Sequence, residues 1–332
     1  MPEHFVPTDR PDGVAIIGDG VVGSRLRRRL GLVVGDAPVV SVDTRRHDIA
    51  TSTMFDGVGV VVLAHPGPHV RDAAALIARG VAVVSIGDQV DDVRALLSLD
   101  HAAERAGVPL VIGAGMSPGL SGLLARLLAR EFAHVDEVHV GIHGTAGPAC
   151  ARQHHRALAR SSVTIVGGTE RLSSAGTGRE LIWFPEPVGA YDCYRAEVPG
   201  PLLLRRVFPT AERITARMSA NRRDRFTSRL PMLRPPHSEG GVGAVRVELR
   251  GSDESGGRHS VIAGIAELVG TAAAATAGAF VEAARLGSLR PGVVIAGDDD
   301  LDTVELLRTV QRLGVRLQSF TGVPSRTGTP SV

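Results

Sequence analysis

The chain has 332 residues, 43 % of them apolar and 22 % charged, with a formal net charge of +2. These values exclude a disordered or fibrous protein, give no ground for nucleic acid or an anionic membrane as partner, and at this length predict two domains. All 37 residues counted as lysine plus arginine are arginine, which removes Schiff-base catalysis, a Tyr-x-x-x-Lys hydride-transfer site and a Gly-Lys-Ser/Thr phosphate loop from consideration.

The first residues are polar and carry prolines, with no basic stretch leading into an apolar one, so no signal peptide is expected. Cys150 and Cys193 are the only cysteines, too few for a disulfide framework, and a cytoplasmic protein is expected. Residues 14–17 read as a buried strand and residues 24–30 as a helix stopped by Gly31. Between them stands Gly18-Asp19-Gly20-Val21-Val22-Gly23, and Asp43 follows twenty residues after Gly23. A Gly-x-Gly-x-x-Gly turn alone is weak evidence. Placed after a strand, opening a helix and answered by a distant acid, it is the fingerprint of a dinucleotide site. Asp43 is positioned to accept from the adenosine ribose hydroxyls, which favours NAD. Thr44, Arg45 and Arg46 follow it, and a guanidinium there suits the 2′-phosphate of NADP, so the cofactor is read as NAD(P) with both forms open.

The strand and helix rhythm continues. Strands are predicted over 39–42 and 58–63, both read as fully buried, and over 81–86 and 108–112, with helices over 70–79, 90–106 and 120–132. Three loops then fall at the carboxyl ends of parallel strands, the edge where ligands bind in such sheets. They are Ala64-His65-Pro66, a cofactor-side loop; Gly87-Asp88, where Asp88 is either a helix cap or a catalytic acid; and Met116-Ser117-Pro118-Gly119, a substrate-side loop.

Beyond residue 133 the segments 137–142, 162–166, 181–184, 242–250 and 260–268 look closer to antiparallel strands, the last two joined as a hairpin through Gly251 to Gly257. An Ala-rich helix is predicted over 271–286. The fold class expected is α/β: a Rossmann doubly wound parallel sheet over 11–133, followed by a mixed-sheet α+β domain for substrate binding and dimerisation over 134–320. Helix 271–286 is free to pack back on the first domain, and 321–332 form a loose tail. No membrane span is expected, since the most apolar stretch is interrupted by Glu267 and Glu282.

In the second part His139, His143, His154 and His155 cluster along the sequence with Cys150 among them. No His-x-x-Glu-His, His-Glu-x-x-His or paired-cysteine spacing is present, so no metal site is expected. A histidine acting as general acid or base fits better, and His143 is the candidate, with Asp88 as the second. Arg152 and Arg179 are candidates to hold a substrate carboxylate.

The runs VVLAHPGPHVRDAAALIARGVAVVSIGD and AAERAGVPLVIGAGMSPGLSGLLAR, together with the early glycine turn, resemble the saccharopine reductase-like dehydrogenases. The resemblance is good to about residue 145. It implies a Rossmann domain, a mixed-sheet domain used for substrate binding and homodimerisation, and NAD(P)-linked hydride transfer at the C=N bond of an amino-acid-derived small molecule. Ser117 stands where many members carry Asp before the Pro-Gly, and the lysine of the lysine-forming members has no counterpart. The other readings are a ketone or activated-alkene reductase on the same fold, and a non-catalytic NAD(P)-binding sensor or assembly protein.

Overall fold

The computed structural model describes residues 11–42, 49–232 and 235–319. Its first half runs β1 (Gly13–Ile17), α1 (Val21–Val34), β2 (Val39–Val42), β3 (Val58–Leu63), α2 (Val70–Ala78), β4 (Ala82–Ser85), α3 (Val90–Leu97), α4 (Asp100–Ala106), β5 (Pro109–Ile112) and α5 (Leu120–Leu128). β1, β3, β4 and β5 are short Val- and Ile-rich runs buried on both faces, as parallel strands covered by helices must be. β2 differs from the expectation of burial: it is the edge strand, and Val40 and Ser41 are exposed.

The second half runs β6 (His134–His143), α6 (Pro148–Ala157), β7 (Ser162–Val166), β8 (Thr169–Ser173), β9 (Glu180–Phe184), β10 (Gly189–Arg195), α7 (Gly200–Val207), β11 (Arg213–Ser219), α8 (Arg222–Thr227), β12 (Val242–Ser252), β13 (Arg258–Leu268), α9 (Val269–Arg285), β14 (Gly292–Ile295), α10 (Thr303–Arg312) and β15 (Gln318–Ser319). A six-stranded parallel sheet has the order β14-β5-β4-β3-β1-β2, and a nine-stranded mixed sheet has the path β15-β13-β12-β6-β11-β10-β9 with β7 and β8 attached to β11. The protein is thus a Rossmann-type α/β unit joined to a second, mixed-sheet layer, as the sequence predicts. No helix among the described residues is long and apolar enough to cross a membrane.

Four further features differ from the sequence reading. Gly31 does not end α1, which continues to Val34 and stops at Gly35. The helix expected over 90–106 is two, broken at Ser98 and Leu99, where the Ser98 hydroxyl donates to the Ala95 carbonyl and Asp100 accepts the Val293 N–H at 2.7 Å. β6 and β11 pair in parallel inside a sheet that is otherwise antiparallel. β14, from the far end of the chain, enters the first sheet beside β5, and a Cβ on Gly122 of α5 would stand 2.1 Å from the Ala296 carbonyl oxygen.

Gly31 supplies a direct check of α1. It is exposed, its backbone is helical, and a methyl group there meets nothing. Gly31→Ala therefore raises the unfolding free energy by about 1 kcal/mol, read as a higher denaturant midpoint.

The order of the first sheet sets the location of any ligand. The chain leaves β1 toward β2 on one side and returns to β3 on the other, so a crevice opens at the carboxyl ends of β1 and β3. Two close approaches bring the second layer over that crevice. A Cβ on Gly147, just before α6, would stand 2.7 Å from one methyl of Val21, and a Cβ on Gly270, in the first turn of α9, would stand 2.7 Å from the other. α9 is buried almost all round, which explains its alanine content: small side chains let it pack against α1 and α10 together.

Candidate active site

At the crevice, α1 begins at Val21 with Gly20 as its N-cap, and no side chain caps it. The first-turn N–H groups and the positive end of the helix dipole therefore have no competitor from within the chain's own caps. The three glycines divide the work. Gly18 has φ +113°, and a Cβ there would lie 2.6 Å from the His65 nitrogen. A Cβ on Gly23 would lie 1.9 Å from the Gly18 carbonyl oxygen, so helix and strand could not approach as they do. Gly20 alone faces open space, with nothing within 4 Å of a Cβ. Asp19 is exposed beside it and does not line the cavity. Asp43, Thr44, Arg45 and Arg46 lie outside the described residues.

A cavity of about 190 Å³ runs from Gly20, Val21 and Val22 past Ala64, His65 and Pro66 to Asp88, Met116, Ser117 and Pro118. The three strand-end loops singled out in the sequence thus meet in one place. His65 Nε2 is 3.1 Å from Asp72 Oδ2. Burial works against its protonation, but the Asp72 carboxylate prevails and raises the pKa above the ordinary histidine value. Beneath it His69 is buried and its pKa is lowered, chiefly by that burial. Its Nε2 lies 2.9 Å from the His65 carbonyl oxygen, which can only accept, so Nε2 carries the proton and Nδ1 accepts from the Ser85 hydroxyl at 2.8 Å. Asp92 accepts the backbone N–H groups of His69 and Val70, closing the amino end of α2. These bonds fix the His65 loop in position.

In the loop after β5, Gly119 closes the turn rather than lining the cavity: it has φ +123°, and a Cβ would stand 2.2 Å from the Gly115 carbonyl oxygen. Ser117 Oγ is buried against the cavity and has no hydrogen-bond partner among the described residues. A polar atom left so is costly, on the order of 1–3 kcal/mol, unless a ligand or water satisfies it.

Asp88 is not a helix cap. Gln89 occupies the N-cap position of α3, and Asp88 turns into the cavity, where Gln153 Nε2 donates to its Oδ1. Its Oδ2 faces His154 Nε2 at 3.8 Å, and Cys150 Sγ lies 3.7 Å from the same nitrogen. Cys150 and His154 are one turn apart on α6, held over the cleft by the contact of Gly147 with Val21. Burial alone would depress the His154 pKa; the sulfur of Cys150 and the carboxylate of Asp88 outweigh it and raise the value to about 10.

His143 is placed elsewhere. Ile142 lines the cavity, so its neighbour on β6 faces the opposite side of the sheet. There His143 Nδ1 bonds the Ser219 hydroxyl at 2.9 Å and its ring lies 4.1 Å from that of Tyr191, while burial lowers its pKa. His143→Ala is expected to lower stability by about 1 kcal/mol through the lost ring contact and to leave kcat and KM unchanged. Steady-state kinetics and thermal unfolding of one preparation check both halves. His139 is engaged by Thr215 and Glu137, His155 bonds the Leu230 carbonyl, Arg179 pairs with Asp192, and Arg152 is exposed; none of them lines the cavity.

No protein-family model matches this chain, and a search of curated protein sequences finds no match to it. Solved structures are similar. Saccharopine dehydrogenase (L-Glu forming) from Saccharomyces cerevisiae aligns over 93 % of this chain and 99 % of its own with a TM-score of 0.63 at 13 % identity. A meso-dapdh mutant from Clostridium tetani aligns over 88 % and 95 % (TM-score 0.48, 13 % identity), and amine dehydrogenase from Mycobacterium smegmatis over 86 % and 95 % (TM-score 0.48, 14 % identity). At the identity of the first, the likeness is one of fold: the chain has the two-domain architecture of saccharopine dehydrogenase.

Proposed function

We propose that the protein is an NAD(P)-dependent dehydrogenase or reductase that moves hydride to or from the C=N carbon of an imine, or its secondary amine, derived from an amino acid. One observation carries this reading: a single cavity joins the uncapped amino end of α1 at Gly20 to the Asp88 and His154 side chains on its far wall. The pyrophosphate of a dinucleotide fits the first wall, because Gly20 leaves the volume and the helix N–H groups are oriented toward it. The bound cofactor supplies the hydride.

The chain's own residues supply the rest. His154 holds a proton at Nε2 within reach of the substrate nitrogen, and Asp88 keeps that imidazole oriented and charged. Among the described residues Asp88 is also the acidic side chain lining the cavity, which favours a cationic iminium over a neutral ketone. Ser117 Oγ offers its unused hydrogen bond to the nicotinamide carboxamide or to the substrate. Ile142, Met116, Val269 and Ala273 keep water from the reacting carbon. The fold-level likeness to an enzyme named saccharopine dehydrogenase supports an amino-acid-derived substrate by analogy.

Steady-state oxidation of NADH and NADPH with paired amines and 2-oxo acids, against the oxo acids alone, tests the reading. Turnover is expected to require the amine. Equal turnover without it would move the assignment to a ketone reductase, and a folded, cofactor-bound protein inert toward the whole panel would favour a non-catalytic sensor.

A further inference from the structure

The contacts that join Cys150, His154 and Asp88 are long: Cys150 Sγ lies 3.7 Å from His154 Nε2, within reach of a hydrogen bond to sulfur. The 3.8 Å separation of His154 Nε2 and Asp88 Oδ2 is beyond the usual range of about 2.7–3.2 Å. Instead, one donor atom from each residue lies within 4.8 Å of the others, around a common point at the edge of the cavity. We propose that this point is a binding site for a zinc-class divalent cation, held by Cys150 Sγ, His154 Nε2 and Asp88 Oδ2, with its fourth position open to the cleft.

The spacing supports it. With Zn–S of about 2.3 Å and Zn–N or Zn–O of about 2.0–2.2 Å, the ligand-to-ligand edges of a tetrahedron come to about 3.4–3.6 Å. The observed 3.7 Å between Cys150 Sγ and His154 Nε2 and 3.8 Å between His154 Nε2 and Asp88 Oδ2 approach those edges without rearrangement of the backbone. The donor set selects the metal class. A thiolate with an imidazole suits zinc, whereas calcium and magnesium take oxygen.

The supporting groups are also present. Gln153 donates to Asp88 Oδ1, leaving Oδ2 for the cation, and Gln89 donates to Gln153 in turn. Cys150 and His154 lie on one face of α6, four residues apart, while Asp88 comes from the loop after β4. Three protein ligands with an open position is the arrangement of catalytic rather than structural zinc. A cation there takes the lone pair of His154 Nε2 and so replaces the proton held at that atom in the metal-free chain. Polarisation of a substrate nitrogen or oxygen by the loaded site rests on the reductase reading, whereas the binding itself does not.

The full chain, stripped with chelator and dialysed, is titrated with Zn²⁺ against a chromophoric competitor, with no cofactor or substrate present, and its metal content is measured after dialysis. One equivalent per chain is expected. Affinity should fall about a hundredfold or more in Cys150→Ser and His154→Ala, and at least about tenfold in Gln153→Ala. Co²⁺ should give a thiolate-to-metal charge-transfer band that Cys150→Ser abolishes, and Zn²⁺ should raise the melting temperature of the parent but not of Cys150→Ser. Stoichiometry far below one, unchanged affinity in the variants, or a cobalt spectrum without the charge-transfer band would overturn the site. NADH binding measured on the same preparations reports on the reductase reading separately.

Discussion

Replacing Gly20 with leucine is expected to weaken dinucleotide binding at least a hundredfold, about 3 kcal/mol, while the melting temperature stays within a degree or two of the parent's. The residue is the N-cap of α1 with φ −65°, a conformation any residue adopts, and a Cβ there has nothing within 4 Å. The fold therefore tolerates the change. The pyrophosphate does not, because the leucine side chain fills the volume in front of the helix N–H groups. Gly23→Ala is the control of opposite kind. Its methyl would stand 1.9 Å from the Gly18 carbonyl oxygen, forcing helix and strand apart at a cost of about 1–3 kcal/mol or more. Calorimetric titration with NADH and NADPH, paired with thermal unfolding, separates the two. Stability lost in Gly20→Leu, or affinity retained in it, would contradict the division of roles among the glycines.

His154→Asn is expected to behave in the reverse way at the other wall of the cavity. Hydride-transfer kcat should fall by about two to four orders of magnitude, the usual contribution of a positioned acid or base, while cofactor affinity is unchanged. Asparagine keeps the polarity and much of the volume but carries no titrating proton. Asp88→Asn should lower kcat by a smaller factor, because it leaves the imidazole in place and removes the charge that orients it. Pre-steady-state measurement of the hydride step, with cofactor binding measured directly, distinguishes this from a general loss of structure.

The glycine loop was legible because everything it needs is local: a strand, a turn and a helix between Gly13 and Val34. The loops at His65, Asp88 and Ser117 were legible for the same reason, each ending a short valine-rich strand. What Asp88 does was not. Asp is a favoured cap, yet Gln89 takes the cap position and the carboxylate is drawn to Gln153, a residue 65 positions away. The sequence does not separate His154 from His143, because alternation along β6 does not say which face meets the first domain; that is fixed by Gly147 and Gly270 closing on Val21. A signal was available in the four-residue step from Cys150 to His154, behind a proline that opens a helix. β14 could also have been found, since Val293-Val294-Ile295 precedes a Gly-Asp pair just as the ends of β1 and β4 do. Its membership of the first sheet, across more than a hundred residues of intervening chain, depends on tertiary packing that no local pattern encodes.

The proposed reaction passes hydride in this cavity between the nicotinamide of a dinucleotide whose pyrophosphate lies at Gly20 and a carbon–nitrogen bond beside His154. Its most direct test is incubation of the protein with nicotinamide cofactor deuterated at C4 and paired amine and oxo-acid substrates, with products read by mass spectrometry. Deuterium is expected on the carbon of a newly formed secondary amine, abolished by Gly20→Leu and strongly reduced by His154→Asn. Deuterium found only in an alcohol, or transfer undiminished in both variants, would contradict it.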